Sequence, residues 1–378
     1  MAFPNVKTIL TAGASFILLA TAGCGGGNSE ESGVEATVEE RDGALVIDGE
    51  EVANAELWKA AQEEGSLTLY STLSEVLEDS MVQTFEQQTG LSVDIVRHNG
   101  SRLFELIESE HGAGQLQADV VRRSDIDLVR EHAMSGVFKP HCPPAWDKLI
   151  QVKEPDCLYW ASNETIYAIG YNSEMVDEAE APKTWDDLLD PQWKGEVGLN
   201  NITGGGTTWS RDSWLRQEKG VEYWKRLAAQ ETHITTSAGT VADMNARGEI
   251  AVGMALVGTH GAAKEEGAPL EVVLPSDGIP SSAHWIGTTS GGSNPNAAKV
   301  FVNWNASLAG QTAVAKLTGD YPVRADAPAP EVAGTTLPDR SEIELVFTES
   351  VEPTEADRNR EEWMREWLRI FNYTPEAE

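Results

Sequence analysis

The chain has 378 residues, 61 acidic against 28 basic, for a net charge of −33, and 40% of its residues are hydrophobic. That length is enough for two globular lobes after a leader is set aside. The acidity argues against a nucleic-acid partner, because phosphate binding needs clustered Lys and Arg. It suits solubility at high salt, where screening shortens the reach of repulsion.

Residues 1–23 read as an export signal: Lys7, a short apolar run from Ile9 to Ala22, and small residues leading into Cys24. The run is too short to span a bilayer as a helix, which takes roughly 20 residues. A cysteine directly after the small residues points to a lipoprotein cut before Cys24, whose thiol carries lipid; ordinary secretion is the plainer alternative. Thr21 stands three places before Cys24, where the usual lipoprotein box has Leu. Residues 24–52 open with Gly25-Gly26-Gly27-Asn28-Ser29, and Glu30 to Glu51 holds nine acids and one base, Arg41. This composition predicts a flexible acidic tether that buries too little to offset its ordering entropy.

Further along, a helix is expected from Ala53 to Glu64, stopped by Gly65. A strand at Leu67–Tyr70 leads through Ser71-Thr72 into a helix carrying Val76, Leu77, Met81, Val82 and Phe85 at helical spacing, ended by Gly90. Leu91–Val96 is the next strand, Arg102–Glu110 a helix, and Ala118–Val121 a third strand. This β-α-β-α-β order predicts a mostly parallel sheet flanked by helices. Ligands gather at the carboxyl ends of such strands, here Ser71-Thr72, Arg97-His98-Asn99 and Arg122-Arg123-Ser124. Cys142 and Cys157, flanked by prolines, are expected either to form a disulfide worth roughly 3 kcal/mol or to be buried thiols. Tyr159–Tyr171 is extended and apolar. Thr184 caps a short helix, Gly195–Leu199 is a strand, and Thr203–Trp209 leads into a helix. Then come a helix at Thr240–Arg247, strands at Ile250–Leu256 and Leu270–Leu274, and a helix from Asn294-Pro295. An amphipathic helix holds Trp363 and Trp367; its polar face is not basic, so it is expected to dock on the body rather than on a membrane. The seven histidines have no metal-ligating spacing.

Five segments in order carry a resemblance over roughly residues 65–325. They are Leu67–Glu75 with Phe85–Gly90, Ala118–Val121, Pro182–Gly195 (PKTWDDLLDPQWKG), Gly248–Gly253, and Asn294–Lys299 with Tyr321–Arg324. The chain resembles the extracytoplasmic solute-binding proteins of ABC importers, in the ferric-type branch of the type II periplasmic-binding fold. The resemblance implies two α/β lobes closing on a ligand, with residues 53–157 plus 270–325 in one and 158–269 plus 326–378 in the other. It also implies a monomer with no cofactor, a small-molecule ligand and a membrane permease as partner. Ferric-binding members place a histidine, a glutamate and a tyrosine pair where this chain has Ser74, Ser124 and Gly258-Thr259. A ferric ion wants anionic oxygen ligands, so an anionic solute (phosphonate, sugar phosphate or carboxylate) is the expectation instead.

Arg122 and Arg123 are the candidate anion ligands, a guanidinium holding a carboxylate or phosphate through paired hydrogen bonds. Because neighbouring strand residues point oppositely, only one of the two is expected at the cleft; a surface salt bridge to Asp125 or Asp127 is the bland reading. Gly205, Gly206, Thr207 and Thr208 precede a helix and offer N–H groups and hydroxyls, or form merely a flexible loop. Ser71, Thr72, Ser124, Thr259 and His260 complete the candidate site, unless the hydroxyls only cap helices and the histidine is structural. Tyr159 and Trp160 are candidate cleft walls, with core packing the default for tryptophan in a chain of twelve. No Gly-x-Ser-x-Gly elbow, HExxH or P-loop supports the rival reading of a secreted enzyme. The same architecture would also serve an iron-binding transport protein or a ligand sensor for a membrane kinase.

Overall fold

The computed structural model describes residues 33–375 except Val152. The leader and Cys24 lie outside the described residues. From Val38 onward the expected tether is instead folded. Strands β1 (Val38–Arg41), β2 (Ala44–Ile47) and β3 (Glu50–Ala53) form an antiparallel meander. Its turns are Asp42-Gly43 and Asp48-Gly49, all four residues at positive φ, the conformation that tight hairpin turns demand. Leu45, Ile47 and Val52 are buried with Trp58, so the acidic count misled where the alternation of apolar residues decided.

The next elements are α1 (Ala55–Glu64), β4 (Ser66–Ser71), α2 (Glu75–Thr89), β5 (Ser92–Arg97), α3 (Gly100–Gly112), β6 (Val120–Arg123) and α4 (Ile126–Ser135). β4 lies between β5 and β6 and is parallel to both. Strand β7 (Trp160–Asn172) is buried at all thirteen positions. It is followed by β8 (Val197–Asn200), α5 (Gly206–Glu218), α6 (Gly220–Ala229), β9 (His233–Thr235), α7 (Ala238–Ala246), β10 (Val252–Leu256) and α8 (Val257–Glu265). Then come β11 (Leu270–Val273), β12 (Ile279–Thr288), α9 (Pro295–Ala306), α10 (Leu308–Leu317), β13 (Glu331–Val332), β14 (Thr335–Thr336), β15 (Leu345–Phe347) and α11 (Glu355–Ile370). Ahead of β8, Thr184 caps the short helix Trp185–Leu189 through a reciprocal bond with Asp187.

The main sheet runs β5-β4-β6-β12-β7-β10-β8-β9, with β11 on β7 and β15 on β12. The fold is α/β with two lobes, each a sheet flanked by helices. One core gathers Phe85, Trp285, Phe301 and Trp304; the other gathers Trp185, Trp214, Trp224 and Trp367. Trp160 and Ala161 belong to the first core, Tyr167, Ile169 and Tyr171 to the second. The changeover therefore falls inside β7 rather than at residues 157/158, because a strand can be shared by two cores without a break. Residue 270 is not the return point either: β11 pairs with the second-lobe half of β7, and β12 makes the return. Helix α11 docks on the second core, with Trp367 fully buried and stacked on Phe371 at 4.3 Å. Cys142 and Cys157 are bridged, their Cα atoms 5.1 Å apart.

Two ion pairs tie segments together. Glu50 of β3 accepts from both terminal nitrogens of Arg324 at 2.8 and 2.9 Å, linking the meander to a segment 274 residues away. In β6, Arg122 is fully buried and forks onto Glu78 of α2, which also accepts from Ser71. Arg123, also buried, points the other way, to His132 at 2.9 Å and the Gly100 carbonyl at 2.9 Å.

The hydrogen bonds from Arg324 hold the Glu50 carboxyl down from 4.5 to about 2. A depressed folded-state pKa means that this stabilisation is complete above about pH 4.5 and lost as pH falls through about 2. Glu50→Gln is expected to lower the thermal midpoint at pH 7 and to match the wild type near pH 2, read by circular dichroism. Arg122→Ala strands Glu78 as a buried lone charge and is expected to cost about 3–5 kcal/mol in urea unfolding. Pairing it with Glu78→Leu should restore most of that loss.

Candidate functional site

Between the lobes lies a cavity of about 250 Å3. Strand ends and helix starts from both lobes line it, as a sheet with crossover helices requires. From the first lobe come Thr72, Ser74, Arg97, Asn99 and Ser124; from the second come Asn200, Gly204, Gly205, Thr207 and Thr208, then Thr236, Ser237, Gly258 and Thr259. Thr165, His284 and Asp320 complete the lining near the crossing strands.

Six of the expected ligand residues are therefore at the cavity: Thr72, Ser124, Gly205, Thr207, Thr208 and Thr259. Five stand behind its wall. Ser71 and Arg122 are spent on Glu78, and Arg123 is spent on His132 and Gly100. Neither arginine reaches the cleft, and neither meets Asp125 or Asp127, which pair instead with Arg360. Gly206 faces backbone: a Cβ there would sit 1.8 Å from the Ser124 carbonyl oxygen. This glycine is what lets the start of α5 press against the opposite lobe. His260 is fully buried, packed over Gly170; burial lowers its pKa to about 4, so it is neutral at pH 7. Tyr159 and Trp160 are core residues of the first lobe.

Among the described residues the cationic side chain that does line the cavity is Arg97, at the end of β5, which is exposed and whose Nε donates to the Leu73 carbonyl at 2.8 Å. Five helices begin at the cavity wall: α2, α3, α5, α7 and α8. Asn99 and Ser237 cap α3 and α7 with their side chains, whereas α2, α5 and α8 receive no side-chain cap. Their first-turn N–H groups have no intrahelical acceptor and carry the positive end of the helix dipole. Asn200 and Thr208 are held in place from beneath: Asn200 donates to the Thr208 hydroxyl at 2.7 Å and accepts from the buried Arg211 at 2.8 Å. Among the described lining residues Asp320 is the one carboxylate. Burial raises its pKa to about 6, against donation from Asn163 and Thr165. Ser74, Ser124 and Gly258-Thr259 all line the cavity and bring neutral groups. Among the described residues no cluster of His, Cys, Asp and Glu suits a metal ion.

Strand ends could be named from sequence, and Arg97-His98-Asn99 was among them; which end carries the available arginine depends on Glu78, a contact between elements. Asp320 and His284 carried no local motif in the sequence, and what brings them to the cavity is the packing of β12 and of the segment after α10.

Comparison with known proteins agrees with this architecture. Residues 80–338 match the family of bacterial extracellular solute-binding proteins. An uncharacterised protein of Haemophilus influenzae is 26% identical over 264 residues, 67% of this chain and 76% of that one. The periplasmic binding protein AfuA of Actinobacillus pleuropneumoniae, solved with exogenous fructose-6-phosphate bound, superposes with a TM-score of 0.69 at 25% identity, covering 82% of this chain and 100% of that one. Iron-bound HitA of Pseudomonas aeruginosa shares the fold, with a TM-score of 0.62 at 20% identity over 81% of this chain and 98% of its own. With two lobes, a cavity between them and a family match over most of its length, the chain belongs to the bacterial extracellular solute-binding proteins, the extracytoplasmic components that serve ABC importers by capturing a small molecule for a membrane permease.

Proposed function

We propose that the captured solute is a small anion and that no reaction is performed on it. The observation that carries this reading is the convergence of Arg97 with three helix starts that lack side-chain caps on one cavity. Backbone N–H groups at helix N-termini and a guanidinium are the groups that recognise phosphate, phosphonate or carboxylate. In a chain of net charge −33, only such local positive potential overcomes the general repulsion. The sugar phosphate bound by AfuA supports the same class. Iron is disfavoured by the donor set, because the described lining residues include no tyrosine and one carboxylate.

Capture works by closure. The solute bridges the lobes and shifts the open–closed equilibrium toward the form with both walls in contact. Gly206 belongs to this step, since a Cβ there would run into the Ser124 and Asp125 backbone across the seam. The protein acts as a monomer held at the membrane by lipid on Cys24, a reading that rests on the Ala22-Gly23-Cys24 sequence. Replacing Cys24 with Ser should move the protein from the membrane to the soluble fraction on cell fractionation.

Thermal unfolding with a panel of anions tests the ligand reading. At a hundred times its dissociation constant a solute adds roughly 2.7 kcal/mol, a shift of several degrees. Arg97→Ala should remove most of that shift while leaving the ligand-free midpoint within a degree or two of wild type, because exposed substitutions rarely exceed about 0.5 kcal/mol. A shift produced only by ferric ion or organic cations would overturn the anion assignment. Gly206→Ala should fold yet lose the ligand-induced shift, as its methyl group holds α5 away from Ser124.

A further inference from the structure

The cavity wall opposite Arg97 in character is built from groups that do not suit an anion at all. Asp320 is 2% exposed and His284 5% exposed, yet both line the cavity. They are fixed by one shared pair of side chains. Asn163 Nδ2 lies 2.6 Å from Asp320 Oδ2 and 3.4 Å from His284 Nδ1; Thr165 Oγ1 lies 3.1 and 3.4 Å from the same two atoms. The orientation of Asn163 is set in turn, because its carbonyl oxygen accepts from the Ser162 hydroxyl at 2.7 Å. Its amide hydrogens therefore face both Asp320 and His284. With the Thr165 hydroxyl hydrogen given to Asp320, the Asn163 amide is the donor that faces Nδ1, and an imidazole whose Nδ1 accepts carries its proton on Nε2. No described residue hydrogen-bonds that Nε2. The result is an acceptor, the Asp320 carboxylate, beside a donor, His284 Nε2–H, on the same stretch of cavity wall.

We infer that Asp320 and His284 are specificity determinants that read a hydroxyl group of the solute, so that the ligand is a hydroxylated anion rather than a simple oxyanion. The inference rests on the anion reading and refines it. A hydroxyl donates to Asp320 and accepts from His284, satisfying both. A second phosphate or carboxylate there would set its oxygens against a buried carboxylate, which is strongly unfavourable. An ammonium would pair with Asp320 but has no acceptor for His284 and leaves that buried donor unsatisfied. The anionic group must then lie toward Arg97 and the uncapped helix starts, with the hydroxylated body toward Asp320. At about 250 Å3 the cavity is smaller than most ligand pockets, which run to roughly 300–1,000 Å3, and this favours a compact polyol phosphate or hydroxy acid.

Isothermal titration of the full chain with glycerol 3-phosphate, fructose 6-phosphate, inorganic phosphate, methylphosphonate and O-phosphoethanolamine tests this. A hydroxylated phosphate should bind at least about tenfold more tightly than inorganic phosphate or methylphosphonate, the worth of a hydrogen bond to a charged group. Asp320→Asn and, as a second variant, His284→Phe should each erase that advantage while leaving inorganic phosphate within about twofold of wild type. Equal affinity for all the phosphates, unchanged in both variants, overturns the inference and leaves the anion reading standing. Preference for O-phosphoethanolamine overturns it in favour of a zwitterionic solute. Binding of none of these anions overturns both.

Discussion

Along β7 and β12, Trp160–Ile166 pairs antiparallel with Ser281–Ile286, and both strands are buried throughout their length. The same strands leave that pairing in different directions: β7 continues to β10 and β11 in the second lobe, while β12 continues to β6 in the first. A ladder shared in this way fixes where the two sheets meet, and so fixes which strand ends and helix starts face each other. Thr165 and His284, one on each strand, are at once part of the crossing and part of the cavity wall. The crossing is thus both the joint and the innermost surface of the site, and its polar residues have to satisfy one another before they can meet a solute.

Around that joint, charge is sorted by depth. Arg122 neutralises Glu78 behind the wall, and the meander is stapled through Glu50 and Arg324. Buried pairs of this kind are weak evidence of net stabilisation, but removing one partner is costly. The Glu78 pair takes Ser71 and Arg122 out of play, as His132 and the Gly100 carbonyl do for Arg123, leaving Thr72, Ser124 and Arg97 among the groups presented from the first lobe. On the other side Arg211, behind the wall, instead holds Asn200 in place at the cavity. Supporting groups one layer back thus decide which of several polar candidates reaches the solute.

The alternation from Ala55 to Val121 was legible because its first two helices are amphipathic and end in Gly65 and Gly90, both in the left-handed conformation. Thr184 announced its short helix through a capping box, a purely local device. β12 was missed because Ile279–Thr288 mixes proline, serine and histidine, which reads as a loop; it is a strand because neighbours pair with it on both sides and cover it. The meander was readable in principle from Asp42-Gly43 and Asp48-Gly49 but was masked by its acids. The arginine pair misled for a deeper reason. A strand end shows where a ligand site lies, and only the packing of α2, with Glu78 aimed at β6, shows that the charge is already answered.

The folded meander has a consequence for distance. If the body began at Ala53, a chain from Cys24 would span at most about 100 Å when fully drawn out; because ordered strand begins at Val38, the limit is about 50 Å, however the intervening residues are arranged. A lipid on Cys24 would then keep the solute cavity within one or two molecular diameters of the bilayer. Delivery to a permease would become a matter of reorientation over a short arc, with the local concentration of the pair set by that radius rather than by diffusion through the surrounding fluid.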